Sequence, residues 1–594
     1  MTFYNRGRRW IAFILTIVIA IAFSGCNPAN FKSQGAQTSQ LVISVLTDPQ
    51  TFNYALNQQS PSIFGLTFKG LTSINGKGEI EPELAESWTI SADKKRIVFN
   101  LRPGLKWSDG KPLTADDVVF TYNDIAFNQE ISTDIRDYLK IGVKGTLPKV
   151  QKLSDRQVEF ILPEPFSPFF STTTGDASSA IAILPKHALE ESVKAKDSDG
   201  NPRYMSTWGT DTDPKQIVTN GPYKLESYNP SQRLVFRKNP NYWRKDKQGN
   251  SQPYIERVIW QIVESTDTSL LQFRSGGLDL VGATPVSFSL LKKEEKRGKF
   301  TIYNGGAAYG QSFITFNLNK GKRNGKPLID PIKSRWFNTV EFRQAVSYAI
   351  DRQTIINNLF RGLGEPQNSP VDVQSKYYLS PKDGLKVYNY EPEKAKKLLL
   401  KAGFKYNAQN QLLDGDNNRV RFTLLTNAGS KTAEAMSAQI KQNLSKIGIQ
   451  VDLSAIAFTV IGEKLHNTLD WECYFGGLIG SGVDPNDGAN VWLTEGGLHS
   501  FNQAAQVGEE PIEGRVVSSW EKEIADLYIK GAQEFDEAKR KAIYDETQRI
   551  TQEYLPYIYL VNPLSMAAIR DRIQNVKFSA LGAFWNIYEL KVDE

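Results

Sequence analysis

An uninterrupted apolar run from Trp10 to Phe23 follows the basic residues Arg6, Arg8 and Arg9. Its 14 residues hold one mild exception, Thr16. As a helix rising about 1.5 Å per residue, the run falls well short of a ~30 Å hydrocarbon core. A basic stretch followed by an apolar segment of this length reads as a secretory signal. The rest of the chain is therefore expected to fold outside the cytoplasm. Residues 27–40 are polar and contain Gly, Pro, Ser and Asn, the composition of a flexible tether spanning roughly 20 Å. No later run reaches 18 apolar residues, so no further membrane segment is expected.

Charge and cysteine content remove several classes of function. The chain has 71 Lys and Arg against 65 Asp and Glu, a net of +6. Met1 to Cys26 holds no acid, so half of that excess lies in Arg6, Arg8 and Arg9. The remaining +3 is too dilute for an electrostatic nucleic-acid binder. Cys26 and Cys473 are the only cysteines, which excludes a disulfide scaffold and a Cys-rich zinc site. The three histidines, His187, His466 and His499, are dispersed, with no i, i+4 pair. No metal site and no cofactor is expected. There is no G-x-S-x-G elbow, Gly325-Lys326 runs into Pro327, and Gly362-Leu363-Gly364 lacks a third glycine. Asp116-Asp117 after Thr114 reads as helix N-terminal charge. The charged run Lys292 to Lys299 reads as a solvated helix face. What remains is aromatic: 11 Trp, 24 Tyr and 31 Phe. Many of these are core, and some suit a cleft as flat contacts with little entropy to lose.

Periodicity gives a mixed α/β chain. Leu41 to Val45 is a buried-strand candidate. Ile97, Phe99 and Leu101 alternate with polar residues, and Asp109-Gly110 supplies a turn. Trp88 and Trp107 read as structural plugs. Asn220-Gly221-Pro222 leads tightly into a strand at Tyr223, and Ile314, Phe316 and Leu318 alternate in another. Asn338 is expected to begin a helix with Glu341 as its capping-box partner, and Phe342, Ala345, Val346, Ala349 and Ile350 form its apolar stripe. Arg343 on that helix reads as a structural ion-pair partner. Pro392 and Gly403 bracket a second helix. Ser430 caps a third, with the stripe Ala433, Met436, Ile440, Leu444 and Ile447. Gly448 ends it, and Ile449, Val451 and Leu453 switch to period two. Helix–Gly–strand units of this kind build α/β domains.

Several segments then carry a resemblance in collinear order. Glu81 to Trp88 continues into Phe99 to Gly110 and Lys111 to Val118. Asn220 to Tyr223 precedes Lys238 to Trp243. Phe342 to Val346 leads to Ala349 to Arg352, and Pro392 through Phe404, Asp484-Pro485 and Leu555-Pro556 follow. Together they resemble the family 5 extracellular solute-binding proteins, the oligopeptide- and dipeptide-binding components of ABC importers. Phe23-Ser24-Gly25-Cys26 resembles the lipobox of bacterial lipoproteins, with Phe23 where leucine is usual. That implies a lipidated Cys26.

The resemblance implies a hinged, two-lobed α/β periplasmic-binding-protein fold with an extra subdomain inserted in lobe I. Its expected parts are 1–25 signal peptide, 26–40 lipidated cysteine and tether, 41–65 lobe I, 66–181 inserted subdomain, 182–300 lobe I, 301–559 lobe II, and 560–594 the return to lobe I. The implied role is capture of a peptide between the lobes and delivery to a membrane permease, with no catalysis, by an extracytoplasmic monomer held at the membrane by lipid. In such binders the ligand backbone is held like an added strand, and hydrated pockets absorb side-chain variation. Candidate ligand contacts are Asn57 and Gln58 from lobe I, and Tyr309, Asn317, Leu478, Gly480, Ser481 and Asp484 from lobe II. The glycines between Phe475 and Pro485 would let a ligand backbone approach closely. Several peptide binders carry an aspartate three residues before Asp-Pro that pairs with the ligand ammonium. Here Ser481 stands in its place, and a hydroxyl supplies no such charge. Amine recognition then comes from elsewhere, or the ligand is an oligosaccharide or another small conjugate. The alternative of another class is a secreted hydrolase using acidic residues.

Overall fold

Where branched and aromatic residues alternate with polar ones, the chain forms strands that bury one face. In the computed structural model, which describes residues 39–57, 61–142, 144–175, 180–478, 483–506 and 509–593, these strands assemble into four principal sheets. The strand Gln40–Val45 lies parallel to Arg257–Ile262, which continues antiparallel through Arg233–Lys238 to Tyr223–Asn229. Asn220 positions that last strand, accepting from the Lys69 N–H at 2.7 Å and donating to the carbonyls of Lys69 and Ile183. A Cβ on Gly221 would sit 2.6 Å from the Leu66 carbonyl oxygen, so only glycine fits.

A second, antiparallel sheet runs in the order Ala85–Ile90, Arg96–Leu101, Gln157–Ile161, Lys149–Ser154. Ile97, Phe99 and Leu101 are buried, as their alternation predicts. After it, Gly110 turns the chain at φ +90° and Trp107 is fully buried. Thr114 caps the helix Ala115–Phe120 reciprocally with Asp117. A third sheet places Val561–Arg570 between Leu280–Gly282 and Phe300–Ala307.

The fourth sheet has five strands, in the order Gln450–Ile456, Arg421–Asn427, Cys473–Leu478, Gln311–Phe316, Tyr557–Tyr559. The helix Lys431–Ser445 crosses between the two parallel strands Arg421–Asn427 and Gln450–Ile456, as a parallel pair requires. Ser430 caps it and Gly448, at φ +78°, follows it. Ile449 and Val451 are buried, but Leu453 is exposed, because its strand is the edge of the sheet. The helix expected from Asn338 starts later. Asn338 closes the preceding helix, Pro331–Asn338, donating to the Ser334 carbonyl at 2.9 Å and to that of Leu318. The next helix is Val340–Ala349, with Thr339 at its N-cap and no capping box. The predicted stripe Phe342, Ala345, Val346, Ala349 and Ile350 is fully buried.

Two large hydrophobic clusters result. One runs from Leu41 to Trp260 and takes in Ala567 to Leu590; the other runs from Phe313 to Val561. They are the cores of two lobes, here lobe I and lobe II. The chain passes between them on two adjacent segments. The Ala308 N–H donates to the Pro563 carbonyl and the Leu560 N–H to the Ser312 carbonyl, both at 2.9 Å. Asn562 donates to the carbonyls of Gly310 and Ala308. Among the described residues, no helix is long and apolar enough to cross a membrane. Residues 1–38, with the signal segment and Cys26, lie outside the described residues.

Candidate functional site

The parallel register of Gln40–Val45 against Arg257–Ile262 sets Leu41 beside Val258 and Ile43 beside Trp260. These alternate residues share one face of the sheet, and that face forms a wall of a cavity of about 440 Å³. Phe584 and Trp585, from the C-terminal segment, form another wall, and Leu66 and Lys69 line it too. Val483 enters from lobe II, so the space is bounded by both lobes. The Ser375 hydroxyl holds the Val483 carbonyl at 3.1 Å. Two glycines make the approach possible. A Cβ on Gly78, which sits at φ +79°, would lie 2.9 Å from Val483 Cγ1, and one on Gly76 would lie 2.6 Å from the Trp585 ring.

A second cavity, of about 130 Å³, lies inside lobe II against Leu478, Asp484, Asp372 and Asp487. Asp484 pairs with Arg540 through two oxygens, at 2.6 and 2.8 Å, and also accepts the Asn486 N–H. Burial, followed by the negative charge of Asp484, holds the Asp487 carboxyl well above the ordinary carboxylate range. Burial pushes Asp372 up to about 7, against the lowering effect of the Gly310 N–H at 3.4 Å and the Asn562 amide. One of its oxygens, Oδ1, is buried with no hydrogen-bond partner among the described residues.

The predicted contacts scatter across this geometry. Asn57 ends the short turn Tyr54–Leu56, half-buried, and is not on the wall of either cavity. Gln58, Gly480 and Ser481 lie outside the described residues. Tyr309 sits half-buried at the crossing between lobes, and burial with the Asp372 charge raises its hydroxyl to about 12. Leu478 ends its strand opposite Gln311 and lines the smaller cavity. Asn317 and Asp484 both have partners within the protein. Asn317 is buried, donating to the carbonyls of Leu469 and Trp471 and accepting the Asn319 N–H. The carboxylate of Asp484 is engaged by Arg540. Arg343, read as an ion-pair partner, instead donates from its guanidinium to the carbonyls of Tyr554 and Phe337, with no carboxylate in salt-bridge contact among the described residues.

Lys69, Val483, Trp585, Arg540 and Asp372 were not found by sequence reasoning. No local pattern marks them, since each acts through residues distant in sequence. The signature residues turn out to tie segments together. Buried Glu83 accepts from Tyr242 at 2.9 Å and from Trp243 at 3.2 Å, and it pairs with Arg244. Arg102 stacks 3.8 Å over the Trp243 ring. The segment around Glu83 and the segment around Trp243 are thus joined in one polar knot.

The family model described as bacterial extracellular solute-binding proteins, family 5, middle region, matches residues 79–500. The chain belongs to that family. As a solute-binding protein it is a binding protein of the extracytoplasmic space, not an enzyme. It is 32% identical over 576 residues to a probable ABC transporter-binding protein of Deinococcus radiodurans, covering 92% of this chain and 91% of that protein. It is 25% identical to the oligopeptide-binding protein AppA of Bacillus subtilis, covering 96% of each. The solved structure of AppA in complex with a nonapeptide superposes with a TM-score of 0.65 at 22% identity, covering 94% of this chain and all of that one. The ABC transporter substrate-binding protein CtaP of Listeria monocytogenes superposes with a TM-score of 0.72, also at 22% identity, covering 94% of this solute-binding protein and 100% of CtaP. These likenesses establish the two-lobed α/β fold of the solute-binding protein.

Proposed function

We propose that this chain is the substrate-binding component of an ABC importer, and that it captures a peptide between its two lobes and hands it to a membrane permease. The observation that carries this reading is the cavity of about 440 Å³ bounded by the sheet of lobe I and by Val483 of lobe II. Such a space forms and opens as the lobes move, so occupancy biases an open–closed equilibrium. The oligopeptide-binding relative AppA supports a peptide as the cargo.

In this reading lobe I comprises 41–65, 182–300 and 560–594, the inserted subdomain 66–181, and lobe II 301–559. As the family resemblance implies, the glycine-rich sequence between Phe475 and Pro485 contributes to ligand binding. Ser481 offers the ligand a neutral hydroxyl. Cys26 carries the lipid, the polar residues between it and the strand Gln40–Val45 act as the tether, and the protein works as a monomer. The acyl chains hold it at the membrane at about 0.8 kcal/mol per buried CH₂.

Calorimetry and melting curves against pools of short peptides and of oligosaccharides test the reading. Saturable stabilisation by peptides that follows RT ln(1 + [L]/Kd), with the peptides recovered intact by mass spectrometry, is the expected result. Binding confined to the sugar pool, or cleavage of any ligand, overturns it.

A further inference from the structure

We propose that the interlobe cavity receives a bulky apolar side chain of the captured peptide, aromatic or branched aliphatic, and that it discriminates against charged side chains at that position. This rests on the peptide reading above. The space, about 440 Å³, is within the usual range for small-molecule sites. Leu41, Ile43, Val258, Trp260, Phe584 and Trp585 make its walls predominantly apolar. Three of these are aromatic and offer ring faces and edges to an aromatic guest. Among the described lining residues no carboxylate is present, and Lys69 is the one ionisable group. Lys69 is itself buried and already engaged by an interaction of its own. A guest of either sign would lose water without adequate compensation. An apolar guest loses nothing of the kind and removes further apolar surface from water.

Gly65 makes the idea testable without damaging the fold. It lines the cavity and lies in the short helix Phe64–Thr67. A Cβ there meets nothing within 4 Å, and its φ lies outside the left-handed region. A Phe at this position would grow into the empty space.

The experiment is calorimetry on the full mature chain with Ala-based tetrapeptides in which Phe, Leu, Lys or Glu is scanned through each position. At one position Phe and Leu are expected to bind about tenfold or more tighter than Ala, and Lys and Glu weaker than Phe by at least that factor. Gly65→Phe should abolish the preference for Phe over Ala while the ligand-free melting temperature stays that of the wild type. Leu271→Ala, at an exposed site on another surface, should retain the preference. Peptide binding with no position preferring Phe or Leu overturns this inference and leaves the peptide reading standing. So does an undiminished preference in Gly65→Phe. If Gly65→Phe does not fold, the wild-type scan alone decides. Failure of every peptide to bind removes the peptide reading, and this inference with it.

Discussion

Asp372 illustrates what a single buried acid does in this molecule. It is almost wholly buried beside the two segments that join the lobes, and its carboxyl rises to about 7 because burial disfavours the charge. Between its unfolded value near 3.8 and about 7, the unfolded chain releases this proton while the folded chain keeps it. Stability from this group therefore falls as pH rises through that window and levels off above it. The total is on the order of 4 kcal/mol. Asp372→Asn removes the titration and keeps the shape. Its melting temperature is expected to exceed that of the wild type by several degrees at pH 8, and to match it near pH 4. Equal differences at both pH values would refute the assignment. Arg540 and Asp484 form the contrasting case. There a guanidinium and a carboxylate meet with two short bonds, and removing one partner would strand the other charge.

At the scale of elements, the approach of the lobes depends on glycine. Gly78 sits at φ +79°, and any side chain on it would strike Val483. Gly78→Val is expected to hold the lobes apart, weaken ligand binding about tenfold or more, and raise the radius of gyration of the liganded protein by small-angle scattering. Unchanged affinity and compactness would show that Gly78 and Val483 do not meet in the closed molecule. Elements with strong local patterns were legible in the sequence. The stripe from Phe342 to Ile350, the Ser430 cap and the Gly448 stop all appear where periodicity and capping put them. Asn338 was misread because Asn serves equally well at the end of a helix, and the choice depended on the carbonyls of Ser334 and Leu318. The cleft was less legible. The contact of Val483 with Gly78 and the pair of Asp484 with Arg540 join residues dozens to hundreds of positions apart, and no local spacing encodes them.

For the molecule as a whole, family and architecture were readable because the signature segments tie parts of the chain distant in sequence together, as Glu83 does with Tyr242, Trp243 and Arg244. Ligand identity was not readable, because the walls of the cavity come from strands, a short helix and the C-terminal segment at once. In the function proposed above, the N-terminal segment sets where the molecule works. Cys26→Ser, expressed in a bacterial host, is expected to move most of the protein from the membrane fraction to the soluble extracytoplasmic fraction, read by fractionation and immunoblotting. Retention in the membrane fraction would instead mean that the apolar run stays uncleaved. The paired segments at Ala308 to Ser312 and Leu560 to Pro563 have a mechanical consequence. Cross-linked to each other by backbone and side-chain bonds, they confine relative motion largely to one axis, like the spine of a book. Displacement then grows with distance from that axis, so small angular changes at the spine become large gaps at the fore-edge, where a cargo must slip in and out.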